Sequence, residues 1–356
     1  MKLNFTFIIV THERHDYLKT MLNFYENNNH INFDILICDS SFKAYNISVH
    51  KDIFQYFHYP NLPYIEKISK ILERVKTKYS LIGTDDDYFI IENFEKMIEI
   101  LESDFRINSI DGRIVTFDKE FETTPEGILT RKSLIYDNPI EALENNLKNF
   151  FQIYYSIVKT QILIDVFLTM KKFTITNIYL YEHILGAISL IRGYHIHCNL
   201  FFCARDTMAP PSLAEHRGDI NRIEKQYEQN TIQYKKFILI IANELAANLP
   251  KQDKQYCKAK AATIVKENLI EKFLYNQDKF DNVRKSNFIE KKIKEFLSLI
   301  LPQHLSTKVY ELHWQWRINN SRKKTINKLG YPYYDPAAKK QWQIIKKHLM
   351  ENECKS

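Results

Sequence analysis

The stretch Tyr79-Ser80-Leu81-Ile82-Gly83-Thr84-Asp85-Asp86-Asp87-Tyr88-Phe89-Ile90-Ile91 decides how the rest of this chain is read. Apolar residues on both sides mark a buried strand, and three adjacent carboxylates stand where it ends. Like charges this close raise one another's proton affinity, so a chain keeps them together only where a cation or a solvated turn relieves the repulsion. A hard divalent ion suits the task, because it takes one or two carboxylates and leaves its other positions to phosphate oxygens. An isolated run of three acids reads as a solvated turn. At the carboxyl end of a strand in an open α/β sheet, where such sheets bind ligands, it reads as a site. The run also has no basic neighbour in sequence to neutralise it, which favours the cation.

Working outward, residues 3–10 form a continuous apolar strand, and Tyr17, Leu18, Met21, Leu22 and Tyr25 then recur at helical spacing behind Asp16, a candidate N-cap. Residues 33–39 are a second strand ending in Asp39-Ser40-Ser41. Ile65, Ile68, Ile71, Leu72 and Val75 stripe a helix over 64–76, and Phe94, Met97, Ile98 and Leu101 stripe another. Strand and helix in alternation predict a mostly parallel sheet wrapped by helices. Residues 110–117 and 151–158 read as further strands, with an irregular stretch between 117 and 138. A helix follows over 160–170. Glu182 opens the next, which Gly193 stops before a strand over 194–203. Residues 205–219, with Pro210-Pro211 and Gly218, carry turn chemistry. Beyond them the pattern is helical, with Ile289, Ile293, Phe296 and Ile300 in one stripe.

The 356 residues suffice for two domains, and 13% aromatic with 26% charged residues is a folded composition. No apolar run is long enough for a membrane span, and the first ten residues read as a strand rather than a leader. Five scattered cysteines suggest neither a disulfide framework nor a zinc cluster, so a reducing cytoplasm is expected. Net charge is +7, but residues 251–356 hold 23 Lys/Arg against 11 Asp/Glu, a balance of +12, and the rest is acidic. This asymmetry predicts two regions with different partners, divided as 1–218 and 219–356.

Four segments in order resemble an inverting family 2 glycosyltransferase of the GT-A fold. Phe7-Ile8-Ile9-Val10-Thr11-His12-Glu13-Arg14 with Tyr17-Leu18 is similar to that family's first strand and nucleotide loop. Ile35-Leu36-Ile37-Cys38-Asp39-Ser40-Ser41 resembles its second strand and base-contacting aspartate. Thr84-Asp85-Asp86-Asp87 resembles its metal-binding D-x-D segment, and among family members short bacterial enzymes with T-D-D-D-Y-F look closest. Glu182-His183 followed by Leu190-Ile191-Arg192-Gly193-Tyr194-His195-Ile196 resembles the helix that carries the catalytic base. The family more often has Tyr and Asn at His12 and Glu13, and Asp at His183.

The resemblance implies an α/β GT-A domain, a Rossmann-like sheet wrapped by helices, followed by a mainly α-helical C-terminal domain. It implies a metal-dependent enzyme that moves a sugar from a nucleotide-diphosphate donor, with a UDP-sugar expected, to a glycan, lipid-linked or peptide acceptor with inversion, in bacterial surface glycan synthesis. Thr11, Glu13, Arg14 and Asp39 would meet the nucleotide, and Asp86 would orient the turn or the sugar. Asp85 would touch ribose or metal, and Asp87 would be the most direct ligand of Mn2+ or Mg2+. His216 is a candidate further ligand, and Arg205 or Arg217 would clamp the diphosphate. Glu182 would remove the acceptor proton, held ionised by backbone donors at a helix start, with Asp111 as competitor. In a retaining enzyme Glu182 would instead stabilise an oxocarbenium-like centre.

Two alternatives compete on the residues. A sugar-nucleotide pyrophosphorylase needs a Gly-rich loop after the first strand, and Thr11-His12-Glu13-Arg14 has no glycine. A nucleic-acid-binding protein would use the basic tail (Arg322, Lys323, Lys324, Lys328) and its aromatics Trp314, Trp316, Tyr331, Tyr333, Tyr334 and Trp342, but leaves the aspartates unexplained, so no nucleic acid is expected. The same tail suits a peripheral contact at the inner face of the membrane, or a solvated helical region that completes an acceptor site or a dimer interface. Nothing in the sequence sets the oligomeric state.

Overall fold

The computed structural model describes residues 2–27, 31–50, 53–118, 124–129, 131–148, 150, 152–206, 220–270 and 336–353. His216, Arg217, the 289–300 stripe and the tail residues 314–334 lie outside them. Strands are β1 (Phe5–Thr11), β2 (Asp34–Asp39), β3 (Phe54–His58), β4 (Tyr79–Thr84), β5 (Asp87–Phe89), β6 (Ile107–Asp118), β7 (Thr124–Leu129), β8 (Ile157–Lys159) and β9 (Tyr194–Asp206). Helices are α1 (His15–Glu26), α2 (Tyr64–Leu72), α3 (Phe94–Ser103), α4 (Pro139–Lys148), α5 (Thr160–Lys172), α6 (Ile178–Ile191), α7 (Ile220–Asn248), α8 (Lys254–Val265) and α9 (Pro336–Glu353).

The architecture is α/β. One sheet runs in the order β3-β2-β1-β4-β8-β6-β9-β5, with β7 paired to β6. From β3 to β4 every pairing is parallel, as the alternation of strand and helix requires. Past β4 the sheet is mixed: β8 runs antiparallel to β4 and β6, β9 lies parallel to β6, and β5 pairs antiparallel with β9. The parallel half ends in the crevice that the nucleotide-loop segments were expected to share.

Side-chain alternation splits β1 between two cores. Phe5, Phe7 and Ile9 pack with Leu18, Met21, Phe94 and Met97 of α1 and α3, while Ile8 and Val10 pack with Ile65, Ile68 and Ile71 of α2 and with α5 and α6. Both cores extend into the C-terminal helices. Phe237, Ile240, Ile241 and Leu245 of α7 and Cys257 and Ala261 of α8 join the second, and Ala338, Trp342 and Ile345 of α9 join the first. Gly83 is needed where it stands: a Cβ there would lie 2.6 Å from the Phe89 ring and 2.8 Å from the Phe7 ring, which close together beneath the aspartate turn.

Several elements differ from the sequence reading. Helix α1 begins at His15, so Arg14 is its N-cap and Asp16 sits in the first turn. Helix α2 stops at Leu72. Of the strand expected over 151–158 only β8 forms, β7 occupies part of the stretch read as irregular, and α4 fills Pro139–Lys148, to which the sequence reading gave no element. Helix α6 starts at Ile178, so Glu182 lies a full turn inside it rather than at its start. Backbone N–H groups that deep are spent within the helix, so they do not hold the carboxylate.

Candidate active site

The carboxyl ends of β1, β2 and β4 open into a cleft of about 470 Å³. Thr11, His12, Ser40 and Asp85 line it from the strand ends, Tyr64 and Lys67 from α2, Tyr154 and Tyr155 from the segment before β8, and Tyr181 and Glu182 from α6. The volume lies within the range of small-molecule sites. Tyr64 and Tyr181 stack across it, centroids 5.6 Å apart and planes within 11°.

Each aspartate of the turn has its own partner. Asp85 is buried, its Oδ2 accepting from the Thr11 hydroxyl at 2.6 Å and its Oδ1 lying 3.3 Å from Arg14 Nη2. Burial lifts the Asp85 carboxyl to about 7, against the pull of Arg14. Asp86 meets the same Arg14 Nη2 at 3.0 Å. Asp87 is clamped by Arg205, Nε to Oδ1 at 2.9 Å and Nη2 to Oδ2 at 3.2 Å, and accepts from the Thr84 hydroxyl at 2.9 Å. Burial raises its proton affinity, with the Arg205 charge opposing. The repulsion is therefore relieved by two arginines that sequence distance concealed.

Asp39 is fully buried and does not line the cleft. It accepts from Ser41 N at 2.7 Å and Tyr56 Oη at 2.6 Å, with His15 Nε2 at 3.1 Å. Burial alone would raise its carboxyl, but these donors hold it below the usual range. In this arrangement it organises the β2 end instead of offering an oxygen to a base. Glu13 adopts a left-handed φ of 53°, its N–H donating to Ser41 Oγ and its carboxylate accepting from Phe42 N. It ties the first loop to the second.

Glu182 reaches the cleft. Its Oε2 accepts from Gln152 Nε2 at 2.8 Å, and burial raises its proton affinity against that donor and the charges of Arg205 and Arg131. Asp111, the competing base, is buried with Arg131 Nη1 at 2.6 Å and His197 Nδ1 at 2.7 Å. Burial would raise it, but His195, His197 and Arg131 hold it well below the carboxylate range, where it is a poor proton acceptor. The structure thus brings Thr11, Arg14, Asp85 and Asp86 together, with Glu182 on the same cleft. It sets Asp39 and Asp87 behind the surface.

Lys67 escaped the sequence reading. Only 4% exposed, it donates to the Thr11 carbonyl at 2.9 Å and Ser40 Oγ at 3.0 Å at the cleft floor. The signal was a lysine inside an apolar helical stripe, three residues after Tyr64 and four before Ile71. Gln152 falls in the strand expected over 151–158 and Arg131 in the stretch read as irregular, so neither was singled out.

The residues do not fit a resident Mn2+ or Mg2+ as expected. Both Asp87 oxygens face Arg205, both Asp85 oxygens are engaged, and among the described residues no three His, Cys, Asp or Glu side chains group to hold an ion. Among the described residues no helix is long and apolar enough to cross a membrane.

No protein-family model matches the chain, and no curated protein does. Among solved structures it is similar to S. aureus TarS residues 1–349, at 11% identity over 75% of this chain and 72% of that one, with a TM-score of 0.45. TarS 1–349 in complex with UDP-GlcNAc aligns at 11% identity over 74% and 72%, TM-score 0.45. The mannosyltransferase PcManGT from Pyrobaculum calidifontis, in complex with GDP-Man and Mn2+, aligns at 11% identity over 74% of each chain, TM-score 0.40.

Proposed function

We propose that this chain is a nucleotide-sugar glycosyltransferase of the GT-A type with Glu182 as its general base. One observation carries the reading: Glu182 of α6 and Asp85 of the aspartate turn, nearly a hundred positions apart in the sequence, line a single cleft at the carboxyl ends of the parallel strands. A donor laid over those ends would meet the Lys67 ammonium and the Thr11–Asp85 pair, with Glu182 on the same cleft.

In the proposed reaction Glu182 takes the proton of an acceptor hydroxyl while that oxygen attacks the anomeric carbon. The bond from that carbon to the diphosphate oxygen breaks, and the nucleoside diphosphate leaves with the bonding pair. A base works best when its proton affinity approaches the working pH, and burial moves Glu182 in that direction. The tyrosine wall narrows water's access to the anomeric carbon, which favours transfer over hydrolysis. Inversion, a UDP-linked donor and a glycan, lipid-linked or peptide acceptor belong to this proposal through the sequence resemblance, and work at the inner face of a membrane through the basic aromatic tail.

The test is a panel of UDP- and GDP-sugars, scored by nucleoside diphosphate release and transfer, with and without Mn2+. Glu182→Gln keeps size and polarity, so donor affinity should persist while transfer falls about a hundred- to ten-thousand-fold. A loss of only a few-fold at saturating substrates removes Glu182 from the role, and release from no donor removes the function.

A further inference from the structure

Gln152 joins the two halves of the candidate site. Its amide nitrogen donates to Glu182 Oε2 at 2.8 Å, and its amide oxygen faces Arg205 Nη1 at 3.5 Å. Its backbone carbonyl accepts from Arg131 Nη1 at 2.7 Å, and the same Arg131 nitrogen holds Asp111. Arg205 is itself fixed twice, by two nitrogens on Asp87 and by lying 4.1 Å over the Tyr155 ring.

An amide can turn end for end at little steric cost, so its direction is set by its partners. A guanidinium only donates, and it therefore draws the amide oxygen. A carboxylate only accepts, and it therefore draws the amide nitrogen. With Arg205 on one side and Glu182 on the other, one orientation satisfies both, and the reverse would set oxygen against carboxylate and N–H against guanidinium.

We infer that Gln152 is a positioning residue for Glu182, oriented by Arg205, and that it transmits the state of the aspartate turn to the base. This rests on the reading of Glu182 as the base. Asp87 fixes Arg205, Arg205 fixes the amide, and the amide fixes one carboxylate oxygen, which leaves the other to meet an acceptor hydroxyl. The charged and titratable groups around Glu182 are Arg205 from β9, Arg131 before α4, Tyr64 from α2 and Tyr155 before β8, with Lys67, His12 and Asp85 on the shared cleft.

The experiment follows the Glu182 carboxyl by carbon NMR in full-length protein labelled at glutamate Cδ, with Glu182→Gln to assign the resonance. Gln152→Leu removes the donor, so the carboxylate loses stabilisation and its titration midpoint should rise by about one pH unit. The acid limb of kcat should rise with it, while affinity for UDP stays the same. Gln152→Glu keeps the shape and sets a second carboxyl beside Glu182, so it should raise the midpoint as well and serves if the leucine variant does not fold. A melting temperature that falls with an unmoved midpoint makes Gln152 merely structural and overturns the inference. A midpoint that moves while Glu182→Gln retains full transfer leaves the link from Gln152 to Glu182 standing and overturns the assignment of the base.

Discussion

Asp85 is pulled two ways, by burial that favours its proton and by Arg14 that favours its charge, and burial prevails with the carboxyl near 7. The folded state therefore binds a proton at Asp85 between the ordinary carboxylate range and about pH 7 that the unfolded chain has released. By linkage this contribution favours folding at the acid end and is lost as pH rises through that window. Asp85→Asn should accordingly raise the melting temperature at pH 8 and change it little near pH 4, while weakening donor binding. Calorimetry across that range checks it, and an equal shift at both pH values would contradict it. Burial raises the proton affinity of Asp87 as well, but two Arg205 nitrogens are fixed on its two oxygens. Arg205→Met would leave a buried carboxylate unpaired and should cost about 3–5 kcal/mol. Adding Asp87→Asn should return part of that loss, measured by denaturant unfolding of the four members of a double-mutant cycle. Asp87→Asn alone should therefore disturb stability as well as any activity, contrary to the sequence-based picture of an open metal ligand. That picture was out of reach of correction at this scale, since Arg14 and Arg205 meet the aspartates only through tertiary structure. Glu182 was singled out through the resemblance and lines the cleft; Gln152, which donates to it, was not singled out.

Among the elements, β1, β2 and β4 were readable because each is a continuous apolar run, buried on both faces by helices. Strand β3 was missed although its aromatics favour a strand, because it is a short edge strand, with Gln55 exposed and Tyr56, Phe57 and His58 only half-buried, and so lacks a continuous buried run. The segment before β8 was over-read for the opposite reason: Ile153 and Tyr154 are buried in the core as a turn, and period alone does not separate the two. Helix α9 makes the strongest claim at this scale. Trp342, 3% exposed, meets Phe117 edge to face at 5.6 Å, and His348 Nε2 lies 2.9 Å from the Thr20 carbonyl of α1. Trp342→Ala should cost about 3–5 kcal/mol by chemical denaturation, as for other buried aromatics cut to Ala. A cost within a few tenths of a kcal/mol would mean that α9 does not hold this position in solution.

For the whole molecule, we retain the division at 218 as one of charge and element type. The two sides are not expected to fold apart, since α7 and α8 complete the core under α5 and α6, and α9 completes the core over α1 and α3. A chain ending at residue 218 should therefore lack a cooperative thermal transition, whereas the full chain should melt as one unit; circular dichroism and calorimetry distinguish the two. A larger consequence follows from the pairing of β5 with β9. Asp87 stands opposite Arg205 in that antiparallel ladder, 118 positions away along the chain. Directly opposed residues share a face, and a slip of one position would turn the two side chains to opposite faces. Closing so long a loop is slow compared with forming helices and neighbouring strands. The chain can thus assemble its parallel half and bury much of its apolar surface while Asp87 still lacks Arg205. Competence is therefore expected as a late kinetic event, with donor binding in a refolding experiment appearing after the bulk of the helical signal.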